Sequence, residues 1–362
     1  MTRRCSQNTA GKLGLEFFRV NLWNELKRQG NVNKILFHCL WTLLVITAGS
    51  CGKDDIKLDV PDLDFKQEMR DFVQDLSAYA KTEAPGFIIV PQNGEQLVSS
   101  SGEEDGSPAS AYLAAIDGQG REDLFYGYDD DNKSTPGSET AYMAAFLDLA
   151  LGQGKTILVT DYCWTHSKMD DSYARNHQKG YISFAANDRE LRQVPDYPAS
   201  PYHVNNSDVQ TLKDVRNFLY LINPEAFQSR QEFVSALAAT NYDLILMDYF
   251  FSEDEAFSSQ DIALLKTKAN GGKRLVLSYL SIGEAENYRY YWDPGWLEDK
   301  PSWLAIENPD WPGNYKVFYW DKDWQDIIFG NDDSYLHQII SAGFDGAYLD
   351  IVDAFEFYEE LK

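Results

Sequence analysis

The chain has 362 residues, 44% apolar and 14% aromatic, enough to bury a sizeable core. It carries 32 Lys+Arg against 57 Asp+Glu, a formal net charge of −25, which repels phosphate backbones and argues against a nucleic-acid partner. No repeat of fixed period is visible, which argues against a solenoid or propeller.

From the N-terminus, KILFHCLWTLLVITAGSCGKDD (34–55) has a positive start, an apolar run over 35–47 and small residues leading into Cys51. The run is short for a membrane span. It resembles a bacterial lipoprotein signal, which implies lipidation at Cys51. The Lys53-Asp54-Asp55 that follows resembles a surface-export tag. The expected location is extracytoplasmic, on the outer membrane or surface of a diderm bacterium, with the lipid at Cys51 as the only membrane contact. The expected divisions are 1–50 as signal region, 51–61 as polar tether and 62–362 as catalytic domain. Residues 1–50 hold 7 Lys+Arg and 2 Asp+Glu; the remainder has 25 basic against 55 acidic residues, a formal −30. Cys163 is then the one cysteine left beyond Cys51, so no disulfide framework exists.

FKQEMRDFVQDLSAYA (65–80) has apolar residues at helical spacing. Eight short apolar runs follow, at 86–94, 117–127, 155–164, 217–223, 243–250, 274–286, 315–320 and 346–353. A ninth, YISFAAN (181–187), reads as an extra strand or flap. Helical patterns stand between several of them, within 138–154, 223–240, 258–272 and 321–343. Near-continuous apolar strands alternating with helices predict an α/β fold, a closed (β/α)8 barrel, with an open doubly wound sheet as the alternative. No Gly-rich phosphate loop follows any strand, and no HExxH or GxSxG motif occurs. No cofactor is expected and no metal site is assigned; His166 is the one histidine placed near the mouth.

Acids recur at strand ends: Glu122, Asp161, Asp248, Glu284 and Asp350. In a barrel these ends share one face, where chemistry sits. Clustered carboxylates repel, so one takes a proton, giving the acid and base that glycoside hydrolysis needs. Asn93, Tyr249 and aromatic loops holding Trp292, Trp296, Trp311 and Trp320 suit a sugar face.

The blocks FIIVPQNGE, GREDLFYG, ILVTDY, LILMDYF, SIGEAE, KVFYW and YLDIVDAFE resemble the glycoside hydrolase 114 type, endo-α-1,4-polygalactosaminidases on TIM barrels. The resemblance implies Asp350 as nucleophile and Glu122 as acid/base of a retaining reaction, with Glu284 as substitute. It implies Asp248, Tyr249, Glu284, Asp161, Asn93 and Trp320 as substrate contacts, and a cationic, galactosamine-rich polysaccharide as partner. A non-catalytic carbohydrate-binding lipoprotein is the alternative. In the family's usual order the helix and the PQNGE block follow YLDIVD; here they precede everything else. That order implies a circular permutation, with residues 62–67 lying near residues 359–362.

Overall fold

The computed structural model describes residue 58, residues 60–253 and residues 255–362. The signal region and Cys51 lie outside the described residues. In chain order the elements are α1 (Phe65–Glu83), β1 (Ile88–Pro91), α2 (Ser110–Ala115), β2 (Gly118–Glu122), α3 (Gly137–Gly152), β3 (Thr156–Tyr162), α4 (His166–Lys179), β4 (Ile182–Ala186) and β5 (Phe218–Tyr220). Then come α5 (Arg230–Ala238), β6 (Leu244–Met247), β7 (Phe250–Ser252), β8 (Glu255–Ala256), α6 (Ser259–Leu265), β9 (Leu275–Ser281) and β10 (Glu284–Glu286). The chain ends with β11 (Leu304–Glu307), β12 (Asn314–Val317), α7 (Lys322–Ile328), α8 (Tyr335–Ala342), β13 (Gly346–Asp350) and α9 (Ala354–Glu360).

Asp64 starts α1 by accepting from the Gln67 N–H at 3.0 Å, and the helix buries the stripe Phe65, Met69, Phe72, Val73, Leu76 and Ala80. The fold is α/β. Five parallel strands pair in the order β1-β13-β9-β6-β5, and three more in the order β2-β3-β4. The two sheets meet at one seam through a parallel bridge between Gln92 and Gly120. At the other, β4 and β5 share no ladder among the described residues, although the rings of Phe184 and Phe218 lie 5.8 Å apart across it. The hydrogen bonds thus draw two parallel sheets rather than one closed ring. Side chains of both sheets nevertheless meet: the Tyr348 ring of β13 fills the space over Gly120 of β2, where a Cβ would stand 2.2 Å from its hydroxyl.

Two strand assignments change. YISFAAN is no flap: β4 is a buried member of the parallel set, ladder-bonded to β3. KVFYW is not a member: β12 lies in a small antiparallel sheet, β10-β12-β11, outside the parallel set. That sheet carries an aromatic cluster with Trp292 against Tyr315 at 4.9 Å, Trp296 against Trp303 at 4.9 Å and Trp303 against Trp324 at 5.0 Å. Residues 62–67 and 359–362 are neighbours, as expected: Lys362 pairs with Asp62 at 2.9 Å and Lys66 with Glu359 at 2.5 Å. Among the described residues no helix is long and apolar enough to cross a membrane.

Candidate active site

Burial alternates along a strand, so residues two apart share a face. Asp350 ends β13 and Glu122 ends β2, and the pairing of β1 with β13, together with the Gln92–Gly120 bridge, brings these ends together. One amide nitrogen joins the two carboxylates: Gln92 Nε2 donates to Glu122 Oε2 at 3.1 Å and to Asp350 Oδ1 at 2.9 Å. The two acceptor oxygens therefore lie within about 6 Å of each other. Asn93 Nδ2 donates to Glu122 Oε2 at 3.0 Å, while Asn93 Oδ1 accepts from the Glu122 backbone N–H at 3.1 Å. The Tyr162 hydroxyl donates to Glu122 Oε1, and that of Tyr279 to Asp350 Oδ2 at 2.8 Å.

All of these side-chain donors are neutral. The nearby cations face other acids: Arg121 bonds Glu95 at 3.0 Å, and Arg189 bonds Asp123 at 2.8 Å and Asp131 at 2.6 Å while stacking on Tyr162. Burial first, and the Glu122 charge second, push the Asp350 carboxyl up to about 7, against the pull of its donors. Asp353, one turn on, is pushed up to about 8 by burial and by Asp350 and Glu356, with Arg121 and Lys316 opposing. Asp123 rises to about 6 through burial, with Arg189 opposing. The pair thus holds one proton near neutrality, on Asp350.

The backbone here is strained. Asn93, Asp123 and Ile351, each just past a strand that carries the site, have φ of 58°, 59° and 56°. A β-branched residue in that region costs about 1–3 kcal/mol and persists only where its surroundings enforce it. Gly283 supplies part of the enforcement: its backbone lies so close that a Cβ would stand 2.1 Å from the Ile351 carbonyl oxygen.

The other expected contacts divide sharply. Asn93 belongs to the site. Asp161 does not: its fully buried carboxylate accepts from the Phe125 N–H at 2.7 Å, the Tyr126 N–H at 3.1 Å, Ser172 Oγ at 2.6 Å and Asn176 Nδ2 at 3.1 Å. It anchors the loop after Glu122 to α4. Asp248 is held by Arg289 at 2.9 and 2.7 Å, and the same guanidinium bonds Glu286 at 2.6 Å. Glu284 is buried against Lys316 at 2.5 Å and Asn308 at 2.8 Å, so it is a poor substitute acid. Tyr249 packs among Phe250, Tyr335 and Phe344. Trp320 sits between Phe65 at 5.2 Å and Tyr358 at 4.8 Å, at the junction of α1 and α9 rather than beside the carboxylates. His166 stacks on Tyr197 at 3.8 Å. Among the described residues no group of three His, Cys, Asp or Glu side chains is placed to hold a metal.

Gln92, Tyr162 and Tyr279 are the site residues that the sequence reading missed. A signal existed for the tyrosines: each stands inside a buried parallel strand, where its hydroxyl needs a partner. For Gln92 the signal was an amide at the end of an otherwise apolar strand.

Residues 223–362 match the model of glycoside-hydrolase family GH114. The chain is 44% identical over 137 residues to an uncharacterized protein of Methanocaldococcus jannaschii, covering 37% of each chain. It is 37% identical over 123 residues to an uncharacterized protein of Deinococcus radiodurans, covering 34% of this chain and 37% of that one. To an uncharacterized protein of Thermotoga maritima it is 36% identical over 126 residues, 34% of this chain and 36% of that one. The chain thus spans a little over a third of the length of these curated relatives. Asp350 lies inside the family match; Glu122, Gln92 and Asn93 lie outside it.

Proposed function

We propose that this protein is a retaining glycoside hydrolase acting on an amino-sugar polymer, with Asp350 as nucleophile and Glu122 as acid/base. One observation carries the reading: two strand-end carboxylates bridged by a single neutral amide, with no cation among the described residues bonded to either oxygen pair. Separations of about 5–5.5 Å suit direct attack by one carboxylate, and about 6.5–9.5 Å leave room for a water. The limit of about 6 Å on the bridged oxygens supports the closer arrangement.

In the first step an Asp350 oxygen attacks the anomeric carbon while Glu122 gives its proton to the glycosidic oxygen. The C–O bond breaks and a glycosyl ester forms on Asp350. Glu122, now ionised, takes a proton from water, the resulting hydroxide attacks the same carbon, and Asp350 leaves as carboxylate. The resting proton sits on Asp350, so substrate binding must pass it to Glu122. Above about 7 that proton is gone, and the rate falls with it.

A cationic sugar fits the formal −30 of residues 51–362 and a pair with no cation bonded to it. The test is a screen of galactosamine polymers, acetylated and de-N-acetylated, for new reducing ends. Wild type should release them while Asp350→Asn and Glu122→Gln bind without cleaving. A wild type that binds and never cleaves would make this a carbohydrate-binding protein.

The two parallel sheets are read as one closed (β/α)8 barrel, supported by the Gln92–Gly120 bridge and by the Phe184–Phe218 contact at the other seam. The contact of residues 62–66 with 359–362 supports a permuted order. A chain with 362 joined to 62 and reopened near 210 should fold and keep activity. Lipidation at Cys51 and surface display complete the reading; loss of fatty-acid labelling in Cys51→Ser tests it.

A further inference from the structure

The geometry points to Gln92 as the positioning residue that governs how Glu122 and Asp350 share their proton, a role resting on the proposed reading of this pair as nucleophile and acid. Gln92 is 2% exposed and follows β1 directly, its backbone N–H bonded to the Leu349 carbonyl at 2.7 Å. Its two amide hydrogens go to two different carboxylates, at 3.1 and 2.9 Å. Among the described residues no other side chain donates to both: Asn93 and Tyr162 serve Glu122, and Tyr279 serves Asp350. Turning Oε1 inward would let the amide meet at most the one protonated carboxyl, whereas Nε2 inward reaches both. Oε1 accordingly faces away and is buried without a partner, a cost that the bridge has to offset.

The chemistry of the donor matters. A guanidinium in this place would hold both carboxylates ionised; Arg289 instead pairs with Asp248 and Glu286. A methylene chain would remove the one donor shared by both carboxyls, so repulsion and burial would hold the proton on Asp350 more tightly. A neutral amide stabilises negative charge on either oxygen without fixing it, so the proton stays mobile between them.

The surrounding groups leave this role to Gln92. Tyr162, Tyr220, Tyr279 and Tyr348 are all pushed well above the ordinary phenol range by burial and stay neutral. Arg121 and Arg189 stay charged. Asp123 and Asp353 titrate nearby, so the signals of the pair must be assigned individually.

The experiment is a carboxyl 13C NMR titration of the full chain labelled at Asp and Glu, assigned with Asp350→Asn and Glu122→Gln. In Gln92→Met the Asp350 midpoint should move up by about one unit. Ser77→Ala, which removes a buried 2.6 Å bond to the Ala115 carbonyl far from the pair, should lower stability and leave that midpoint in place. An unchanged midpoint in Gln92→Met overturns the proposal. If that variant fails to fold, Gln92→Asn keeps the amide but shortens its reach, and the same shift is required of it. The readout needs no substrate: if no glycan is ever cleaved, the hydrolase reading falls while the titration still decides the role of Gln92.

Discussion

Two acidic clusters stand at the strand ends, and they differ in one respect. Asp248 and Glu286 share the buried guanidinium of Arg289, and Glu284 has Lys316. Among the described residues, the side chains that donate to Glu122 and Asp350 are amides and phenols. A buried carboxylate tied to a cation serves as structure; one with neutral donors that stays partly open can exchange its proton. Strand-end position alone does not separate the two kinds. A cation marks one structural kind, and full enclosure by neutral donors, as at Asp161, marks another; Glu122 and Asp350, only half-buried, have neither.

The comparison breaks first at the proposed catalytic pair. Asp350→Asn or Glu122→Gln should lower kcat by about 10²–10⁴-fold, measured as reducing ends released, while neither lowers the melting temperature. Removing one of two repelling carboxylates relieves strain, so melting temperature at pH 8 should rise. A variant that loses both activity and stability would place the residue among the structural acids instead.

The structural cluster should respond in the opposite way. Arg289→Met leaves Asp248 and Glu286 buried without their cation, which costs about 3–5 kcal/mol in urea unfolding. A loss below about 1 kcal/mol would mean that this cluster is solvated, and the contrast between the two sets of acids would lose its basis.

Asp353 sharpens the contrast. Its folded-state carboxyl is pushed up to about 8, far above an ordinary unfolded aspartate, so the folded protein holds a proton that the unfolded chain releases. Stability from this group is complete below about pH 4 and is lost as pH rises to about 8. Asp353→Asn should match wild type at pH 4 and exceed it by about 2 kcal/mol at pH 8, since the carboxyl is partly solvent-exposed. Equal denaturation midpoints at both pH values would show that Asp353 stays ionised without penalty.

Asp350 and Asn93 were legible because each closes an apolar run in which a polar group must be used; Glu122 ends the polar strand GQGRE and was legible only through the block GREDLFYG. Their donors were not, because Tyr162 and Tyr279 read as ordinary strand residues until the register turned their hydroxyls toward the pair. The strand errors have one cause. Helix α4 buries Met169, Ser172, Tyr173 and Asn176, and two of these are polar because they hold Asp161, so no apolar stripe betrays the helix. Without α4, β4 had no crossover before it and looked surplus. The apolar KVFYW then took its place in the count, although its residues pack a side sheet. Asp161 was misread for the same reason: a carboxylate serving as an internal cap looks in sequence like one facing a substrate.

The smallest expected effect lies where the chain's two described ends meet. Lys362 bonds Asp62, which is fully solvent-exposed, at 2.9 Å, and the same ammonium lies over the Phe65 ring at 4.6 Å. Solvent screens such an exposed charge, so Lys362→Met should leave the urea-unfolding midpoint nearly unchanged. The contact of α1 with α9 rests instead on Phe65, Trp320 and Tyr358, whose rings lie within 5.6 Å of one another. Trp320→Ala should therefore cost about 3–5 kcal/mol. If the lysine proved the more costly of the two, charge rather than aromatic packing would be what joins these ends.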